Sequence, residues 1–377
     1  MAMIINVSRE DFLAALSSLQ NVTGKKGTIA ILSNVLVETK HDKIIVTGTD
    51  LEVGIRYSIP AEIMDSGAIT MPAKKLFEIV RESSADIVHL ECMDNNWVKI
   101  TADSSSYNLA GMEADEFPSF PEYNEASLVS VDGGLVNELI DKTIFSVAPE
   151  GESQYNLSGI LVEKEVRDGG KNYIRMVSTD GHRLSLMEVE RGEELANLHI
   201  NSTTLIPRKG IMEMRRFCDG LDTVSISFEE KQTVLKSEQA VLIIRLMNGD
   251  FPDYRNILKG NADETFVEIE RKALLNSMKR MNLFTEDRYN AVKFHIETNK
   301  LILSSQNMDI GNAKDEMNIV YGGETLELGF NGKYFVEVLQ VLSSDMVKAF
   351  ISSSETPCLI RADNEPGFVS LIMPMKL

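Results

Sequence analysis

The residues best placed to do chemistry sit together at Thr179-Asp180-Gly181-His182-Arg183, where a carboxylate, an imidazole and a guanidinium fall within four positions. An Asp can hold a His in the orientation of a general base, and a neighbouring Arg can bind an anionic substrate. The set lacks a nucleophile. No Ser or Cys stands in a nucleophile-elbow context, and neither Gly-x-Gly-x-x-Gly nor a P-loop occurs. Metal chemistry has no better footing. The five histidines (His41, His89, His182, His199 and His295) lie far apart, and none forms a His-x-x-x-His pair; no Cys-x-x-Cys occurs either. Cys92, Cys218 and Cys358 are scattered and read as buried thiols in a reducing compartment. No metal and no cofactor is expected. A His between Gly and Arg at a strand turn reads better as a hydrogen-bonded wall residue than as a base, with an enzyme working at this turn as the rival.

The second kind of chemistry is charge. Acidic residues number 57 against 38 basic ones, a formal net charge of −19 that should repel nucleic acid. The minority cations are patterned, however. Lys74 and Arg81, Arg208 and Arg215, Lys209 and Arg216, and Lys272 and Lys279 are each seven apart, with Arg271 and Arg280 alongside. Seven residues is nearly two helical turns, so each pair projects from one face. One such pair is an ordinary solvated face. Their recurrence argues a basic surface set in an acidic body, and helical spacing alone adds Lys75, Arg208 and Arg215 to that surface.

The elements that must position these residues are spelled three times. Ile69-Thr-Met-Pro72-Ala-Lys74-Lys-Leu76-Phe-Glu78, Thr204-Leu-Ile-Pro207-Arg-Lys209-Gly-Ile211-Met-Glu213 and Leu328-Gly-Phe-Asn331-Gly-Lys333-Tyr-Phe335-Val-Glu337 share one pattern. A chain-turning residue is followed two positions later by Lys, and a Glu stands four beyond that Lys, as its local helical partner. Each copy opens with an amphipathic segment: Phe12, Leu13 and Leu16; Leu135, Val136 and Leu139; Leu274, Leu275 and Met278. Strand-like runs follow at Asn34–Glu38, Gly159–Glu163 and Ala291–Glu297, and the Thr179–Arg183 cluster is the polar turn that closes the next strand of the second copy. The order helix, strands, helix, strands predicts an α+β fold of three tandem similar domains, 1–126, 127–260 and 261–377, each with two helices packed on antiparallel sheet.

Composition is that of an ordinary globular chain, with 43% hydrophobic and 25% charged residues. No apolar stretch approaches the roughly 18 to 20 residues that cross a bilayer. The opening Met1-Ala-Met-Ile-Ile-Asn-Val has no basic segment and no long apolar run, so a cytoplasmic protein without membrane contact is expected.

Thr179-Asp-Gly-His-Arg-Leu184, Pro207-Arg-Lys-Gly210, Gly249-Asp-Phe-Pro-Asp-Tyr254 and Met373-Pro-Met-Lys-Leu377 together resemble the bacterial DNA polymerase III β subunit family, the replicative sliding clamps. Thr47-Gly-Thr-Asp-Leu-Glu52 and Pro72-Ala-Lys-Lys75 extend the likeness through the first copy, so it covers the whole chain in order. The resemblance implies the DNA clamp fold in a ring of two identical subunits, helices lining the hole and sheets outside, with duplex DNA passing through unread. It implies a processivity factor with no catalytic site of its own. Lys26, Lys74 and Lys209 match the family's DNA-contacting positions.

The resemblance also implies a pocket between the second and third domains. There the polymerase III catalytic subunit, the clamp loader, other polymerases and repair proteins compete through a short apolar peptide. Its walls would be Leu157, Thr179, Gly181, His182, Arg183, Leu184, Pro252, Ile257, Tyr334, Pro357, Leu371, Ile372, Met373, Pro374, Met375 and Leu377. Methionine suits a groove that accepts several peptides. Asn256 and Asn156 depart from the family pattern at the rim. By the same resemblance the ring closes head to tail, with Tyr107 and Leu109 on an edge strand facing Leu283 and Phe284. The chain has no ATP site, so a partner must supply the energy of opening. A repeat scaffold that never meets DNA is the remaining alternative.

Overall fold

The computed structural model describes residues 3–24, 29–149, 157–192, 195–201, 204–259, 265–285 and 289–376; Lys26, Asn156 and Leu377 lie outside the described residues. Among the described residues the three copies share one element order: strand, helix, four strands, helix, three strands. The first copy holds β1 (Ile4–Ser8), α1 (Arg9–Val22), β2 (Asn34–Lys40), β3 (Lys43–Thr49), β4 (Val53–Asp65), β5 (Ala68–Pro72), α2 (Ala73–Glu82), β6 (Ile87–Cys92), β7 (Trp97–Ala102) and β8 (Ser105–Ala110). The second holds β9 (Val129–Asp132), α3 (Gly133–Asp141), β10 (Gly159–Arg167), β11 (Lys171–Thr179), β12 (Arg183–Arg191), β13 (Leu205–Pro207), α4 (Arg208–Phe217), β14 (Thr223–Phe228), β15 (Gln232–Lys236) and β16 (Ala240–Arg245). After the short α5 (Tyr254–Lys259), the third holds β17 (Phe266–Glu270), α6 (Arg271–Met281), β18 (Ala291–Glu297), β19 (Lys300–Asn307), β20 (Gly311–Asn318), β21 (Leu326–Asn331), α7 (Gly332–Val341), β22 (Met346–Phe350), β23 (Cys358–Arg361) and β24 (Phe368–Ile372).

The expected order therefore lacks one element. β1, β9 and β17 precede the first helices and are only four or five residues long, too short for their alternation to stand out. The helices form for the reasons read from sequence. Phe12, Ala15, Leu16 and Leu19 give α1 a buried stripe at helical spacing, and Phe335, Val338 and Leu339 do the same for α7. Ser8 caps α1 by accepting the Asp11 N–H, and Asn331 caps α7 by accepting the Lys333 N–H. At each first helical residue a backbone N–H donates to an Asp carbonyl: Arg9 to Asp86 (2.9 Å), Gly133 to Asp222 (3.0 Å) and Arg271 to Asp345 (2.8 Å). Arg9 and Arg271 then reach on to carbonyls at the end of the second helix, Val80 and Arg81 for one, Leu339 and Ser344 for the other. Arg271 is thus a helix clamp rather than part of a free basic face. The second copy uses Gly133, because a Cβ there would lie 2.3 Å from the Leu221 carbonyl.

Two compact units cut across the repeat. One carries a twelve-stranded antiparallel sheet in the order β8-β7-β6-β1-β4-β16-β15-β14-β9, with β3, β2 and β5 branching from β4. The 13-residue β4 makes the branch possible: its far end pairs with β1, while its first half pairs with both β3 and β16. The other unit holds an eight-stranded sheet, β13-β10-β11-β12-β24-β23-β22-β17, and a four-stranded one, β20-β19-β18-β21. The second copy thus lends β9 and β14 to β16 to one unit and β10 to β13 to the other. Sheet junctions between copies fall at matching places, Gly54 opposite Ile243 and Leu184 opposite Leu371.

Candidate peptide pocket and basic helix starts

The Asp180 turn links β11 to β12. Thr179 Oγ1 donates to the Arg183 carbonyl at 2.6 Å and accepts the Gly181 N–H at 3.1 Å. Asp180 Oδ1 accepts the N–H groups of His182 (2.9 Å) and Arg183 (3.0 Å), and Oδ2 accepts Arg183 Nε at 2.9 Å. Gly181 has φ +88°, a left-handed backbone that glycine adopts without strain. The first copy repeats the device: Thr49 Oγ1 bonds the Val53 carbonyl and the Leu51 N–H, and Asp50 Oδ1 accepts the N–H groups of Glu52 and Val53. A carboxylate so used holds a turn. The His182 ring is exposed and makes no hydrogen bond to Asp180, so no acid–base dyad forms.

Arg183 is buried, and each of its three guanidinium nitrogens donates a hydrogen bond. Beyond Asp180 it pairs with Glu337 and donates to the Phe145 carbonyl, and its guanidinium lies 4.2 Å from the Tyr334 ring centroid. This corrects the expected Lys–Glu pairing in the first and third copies of the repeated pattern. Glu337 answers Arg183 rather than Lys333, and Glu78 pairs with Lys75 at 2.5 Å rather than with Lys74. Glu213 pairs with Arg216 three residues on.

Beside the turn lies a cavity of about 190 Å³ lined by Leu157, Thr179, Gly181, Arg183, Leu184, Pro252, Tyr254, Ile257, Leu371 and Met373. It is smaller than the ~300–1,000 Å³ of typical small-molecule sites, a size for one or two apolar side chains. Leu184, Leu371 and Tyr254 belong to the core cluster beneath it, with Leu161, Val177 and Leu359. Ile257 and Met373 stand 44% and 39% exposed at the mouth, an apolar rim in want of cover. Nine expected wall residues are thus brought together. Tyr254, part of the Gly249–Tyr254 motif but not among the expected wall residues, is the addition. The signal was available in its Phe-Pro-x-aromatic setting. Its hydroxyl donates to Glu163 and accepts from Arg175 Nη1 at 3.0 Å; burial, with Glu163 beside it, pushes it up to about 12. It remains a neutral donor locked in the wall.

The other expected wall residues lie elsewhere. Ile372 is fully buried; as strand neighbours Leu371 and Ile372 face opposite sides, so only Leu371 reaches the cavity. His182 serves through its carbonyl, which accepts the Met373 N–H at 2.9 Å, and Tyr334 lies under Arg183. Met375 donates its N–H to Gly329 at 2.7 Å, carrying half-buried Pro374 with it away from the cavity, and Pro357 leads half-buried into β23. Asn256 turns its amide to Asp253 at 2.6 Å.

The cations divide. Lys74, Lys272, Lys279 and Lys333 are exposed, and no ion pair engages them among the described residues. Arg208 donates to the Val147 carbonyl at 3.1 Å, Arg215 pairs with Asp219 at 3.1 Å, Arg280 pairs with Asp315, and Lys209 is half-buried. α4 and α6 start on Arg208 and Arg271, α2 and α7 carry Lys74 and Lys333 at their second residue, and none of the four has an acidic residue in its first turn. Cations at a helix start oppose the macrodipole by about 0.3–1 kcal/mol each, and together with unpaired N–H groups they favour phosphate. The expected interface residues lie at two sheet edges. β8 ends the twelve-stranded sheet, with Tyr107 37% exposed and Leu109 half-buried, and β20 ends the four-stranded one. Leu283 is 70% exposed and Phe284 half-buried, its ring near Gly311 at the start of β20.

Three tandem α+β copies with a side-chain-sized pocket and basic helix starts define a DNA clamp, a scaffold that holds macromolecules rather than transforming small ones. The descriptions "DNA polymerase III beta subunit" N-terminal, central and C-terminal domain match residues 3–121, 130–253 and 259–376. The beta sliding clamp of Caulobacter vibrioides is 30% identical over 379 residues, covering both chains fully, and that of Chlamydia pneumoniae 29% identical over 98% of both. Among solved structures, the sliding clamp of Bartonella birtlesii bound to griselimycin superposes with a TM-score of 0.93 at 29% identity, over the whole of both chains. The Caulobacter crescentus clamp with a polyethylene glycol in its tethering region also gives 0.93 at 29%, covering 100% of this chain and 99% of that one. The chain belongs to the DNA polymerase III beta subunit family, the bacterial beta sliding clamps.

Proposed function

We propose that this chain is the sliding clamp of a cytoplasmic replication machinery, a processivity factor that encircles duplex DNA and tethers a polymerase to it. Its three domains are taken as 1–126, 127–260 and 261–377. Two copies close head to tail, the β8 edge of one against the β20 edge of the other, with Tyr107 and Leu109 meeting Leu283 and Phe284. A heterologous contact closes after two copies when each supplies half of a pseudo-sixfold circle. The observation that carries this reading is the set of four helices with a cation at their first or second residue and no acid in the first turn, in a chain of net charge −19. Lys74 and Lys209 contact phosphate, joined by Lys272, Lys279 and Lys333 and by Lys26 outside the described residues. Lys75, Arg208 and Arg215 add fixed positive charge behind them. Few contacts suffice, because topology retains the DNA and many phosphate contacts would halt sliding.

The cavity at Thr179 receives the apolar end of a partner peptide, and the polymerase, the clamp loader and repair proteins compete for it. Loading onto nicked circular DNA tests the ring. The protein should stay on the circle and leave within the assay once the circle is cut, and equal retention on linear DNA would overturn the proposal.

A further inference from the structure

The junction that makes the peptide pocket occurs a second time, in the unit built on the twelve-stranded sheet. Gly54 faces Ile243 there as Leu184 faces Leu371, and the Thr49-Asp50 turn repeats Thr179-Asp180. Phe117-Pro118-Ser119-Phe120 likewise repeats Phe251-Pro252-Asp253-Tyr254. Between these parts lies a cavity of about 260 Å³, against about 190 Å³ in the first. Gly54 keeps it open: a Cβ there would lie 3.3 Å from the Phe120 ring, which is itself held under Arg56 at 4.1 Å. The outer wall is fixed as well. Gln232 Nε2 donates to the Glu122 carbonyl (2.8 Å) and to Glu229 (2.7 Å), and Glu229 accepts the Asn124 N–H (2.9 Å).

Leu51, 51% exposed, gives this cavity an apolar side, as Ile257 does for the first. The rim differs. Lys231 and Arg245 line it, both exposed, and no ion pair engages either among the described residues; Glu52 is the single lining carboxylate. Among the lining side chains two exposed cations thus stand against one carboxylate. The nearby carboxylates are turned inward, Asp50 to the Glu52 and Val53 N–H groups and Glu229 to Gln232 and the Asn124 N–H, so the groups offered to an arriving peptide are mainly basic. We infer that this cavity is a second peptide-docking site, selective for an acidic segment in which an apolar side chain precedes Asp or Glu residues. The apolar side chain takes the floor, and the carboxylates pair with Lys231 and Arg245, where charge complementarity excludes the neutral segments that the first pocket accepts. The inference rests on the sliding-clamp reading only in taking partners to arrive as short peptides.

The test uses fluorescence anisotropy with the full chain and a labelled decapeptide carrying Leu-Phe followed by Asp-Asp-Glu. Ile257→Glu closes the first pocket to this probe by placing a carboxylate at its mouth. In that variant the probe should still bind, at one site per chain. Adding Lys231→Glu and Arg245→Glu should lower affinity at least tenfold without changing the melting temperature, and so should replacing the probe's acids by Asn and Gln. Unchanged affinity after the double charge reversal, loss of all binding in Ile257→Glu alone, or displacement of the probe by short duplex DNA overturns the inference. Failure of the first-pocket reading is separate: a neutral apolar peptide would then bind Ile257→Glu as well as it binds the unaltered chain.

Discussion

Thr179 and Asp180 together accept three backbone N–H groups, as Thr49 and Asp50 do in the first copy. Asp180→Ala removes acceptors from two N–H groups and from the Arg183 guanidinium, so we expect a loss of about 1–3 kcal/mol and a lower melting temperature. Peptide affinity should fall with it, since Thr179, Gly181 and Arg183 line the cavity. His182→Ala keeps the carbonyl that holds Met373 and should leave the melting curve and peptide affinity nearly unchanged, whereas abolition of a turnover would revive the enzyme reading. Glu365 makes a pH prediction. Burial opposes its ionisation, but hydrogen bonds from Lys142 and the Ser343 N–H outweigh burial and hold the carboxyl below the usual range. A depressed folded value means that this stabilisation is complete above the unfolded value near 4.5 and is lost as pH falls through the folded one. Urea midpoints of Glu365→Gln and the unaltered chain should therefore differ at pH 7 and converge only as pH falls below the folded value.

Strand edges and the chain's last segment decide function among the elements. The segment after β24 is stitched at two points, Met373 to the His182 carbonyl and Met375 to Gly329. Deleting Met373 to Leu377 removes one cavity wall residue and both stitches, but no residue of β8, β20 or the Leu283-Phe284 turn. We expect peptide binding to disappear with the dimer intact, and a one-chain mass in light scattering would make the tail structural instead. Leu283→Asp should do the reverse, because it places a charge on a side chain 70% exposed at the proposed interface while the peptide pocket is untouched. The turn after Asp363 is also tightly set. A Cβ at Gly367 would lie 1.9 Å from the Glu188 carbonyl, so Gly367→Ala should separate β24 from β12 and lower both stability and peptide affinity.

For the whole molecule the surplus of acid is the constraint. Retention on circular DNA should persist at salt concentrations that strip the protein from linear DNA, since counterion release governs the second but not the first. Much of this was legible in the chain. Threefold recurrence of the Pro/Asn, Lys and Glu spacing fixed the number of copies, and the apolar stripes at helical spacing located the helices. Nine of the cavity's wall residues were legible through family resemblance. Tyr254 was missed although the Gly249–Tyr254 motif contains it, because a linear motif does not say which of its residues turn into the wall. Ile372 was included because a linear run does not say which side each residue takes once it enters a strand. The partner of Glu337 was misread because spacing along one helix cannot register a cation arriving from elsewhere, as Arg183 does 154 residues away, and that of Glu78 because Lys75, three residues before it on the same helix, competes with Lys74 at four. By itself the sequence determined the local and periodic features: the copies, their helices, the turns that Thr49, Asp50, Thr179 and Asp180 clamp, and the charge. Only the tertiary structure decided that sheets continue from copy to copy, that the second copy is split between two units, and that two of its junctions open into cavities. Pairing between strands far apart in sequence is set by which edges meet, and no local spacing records that.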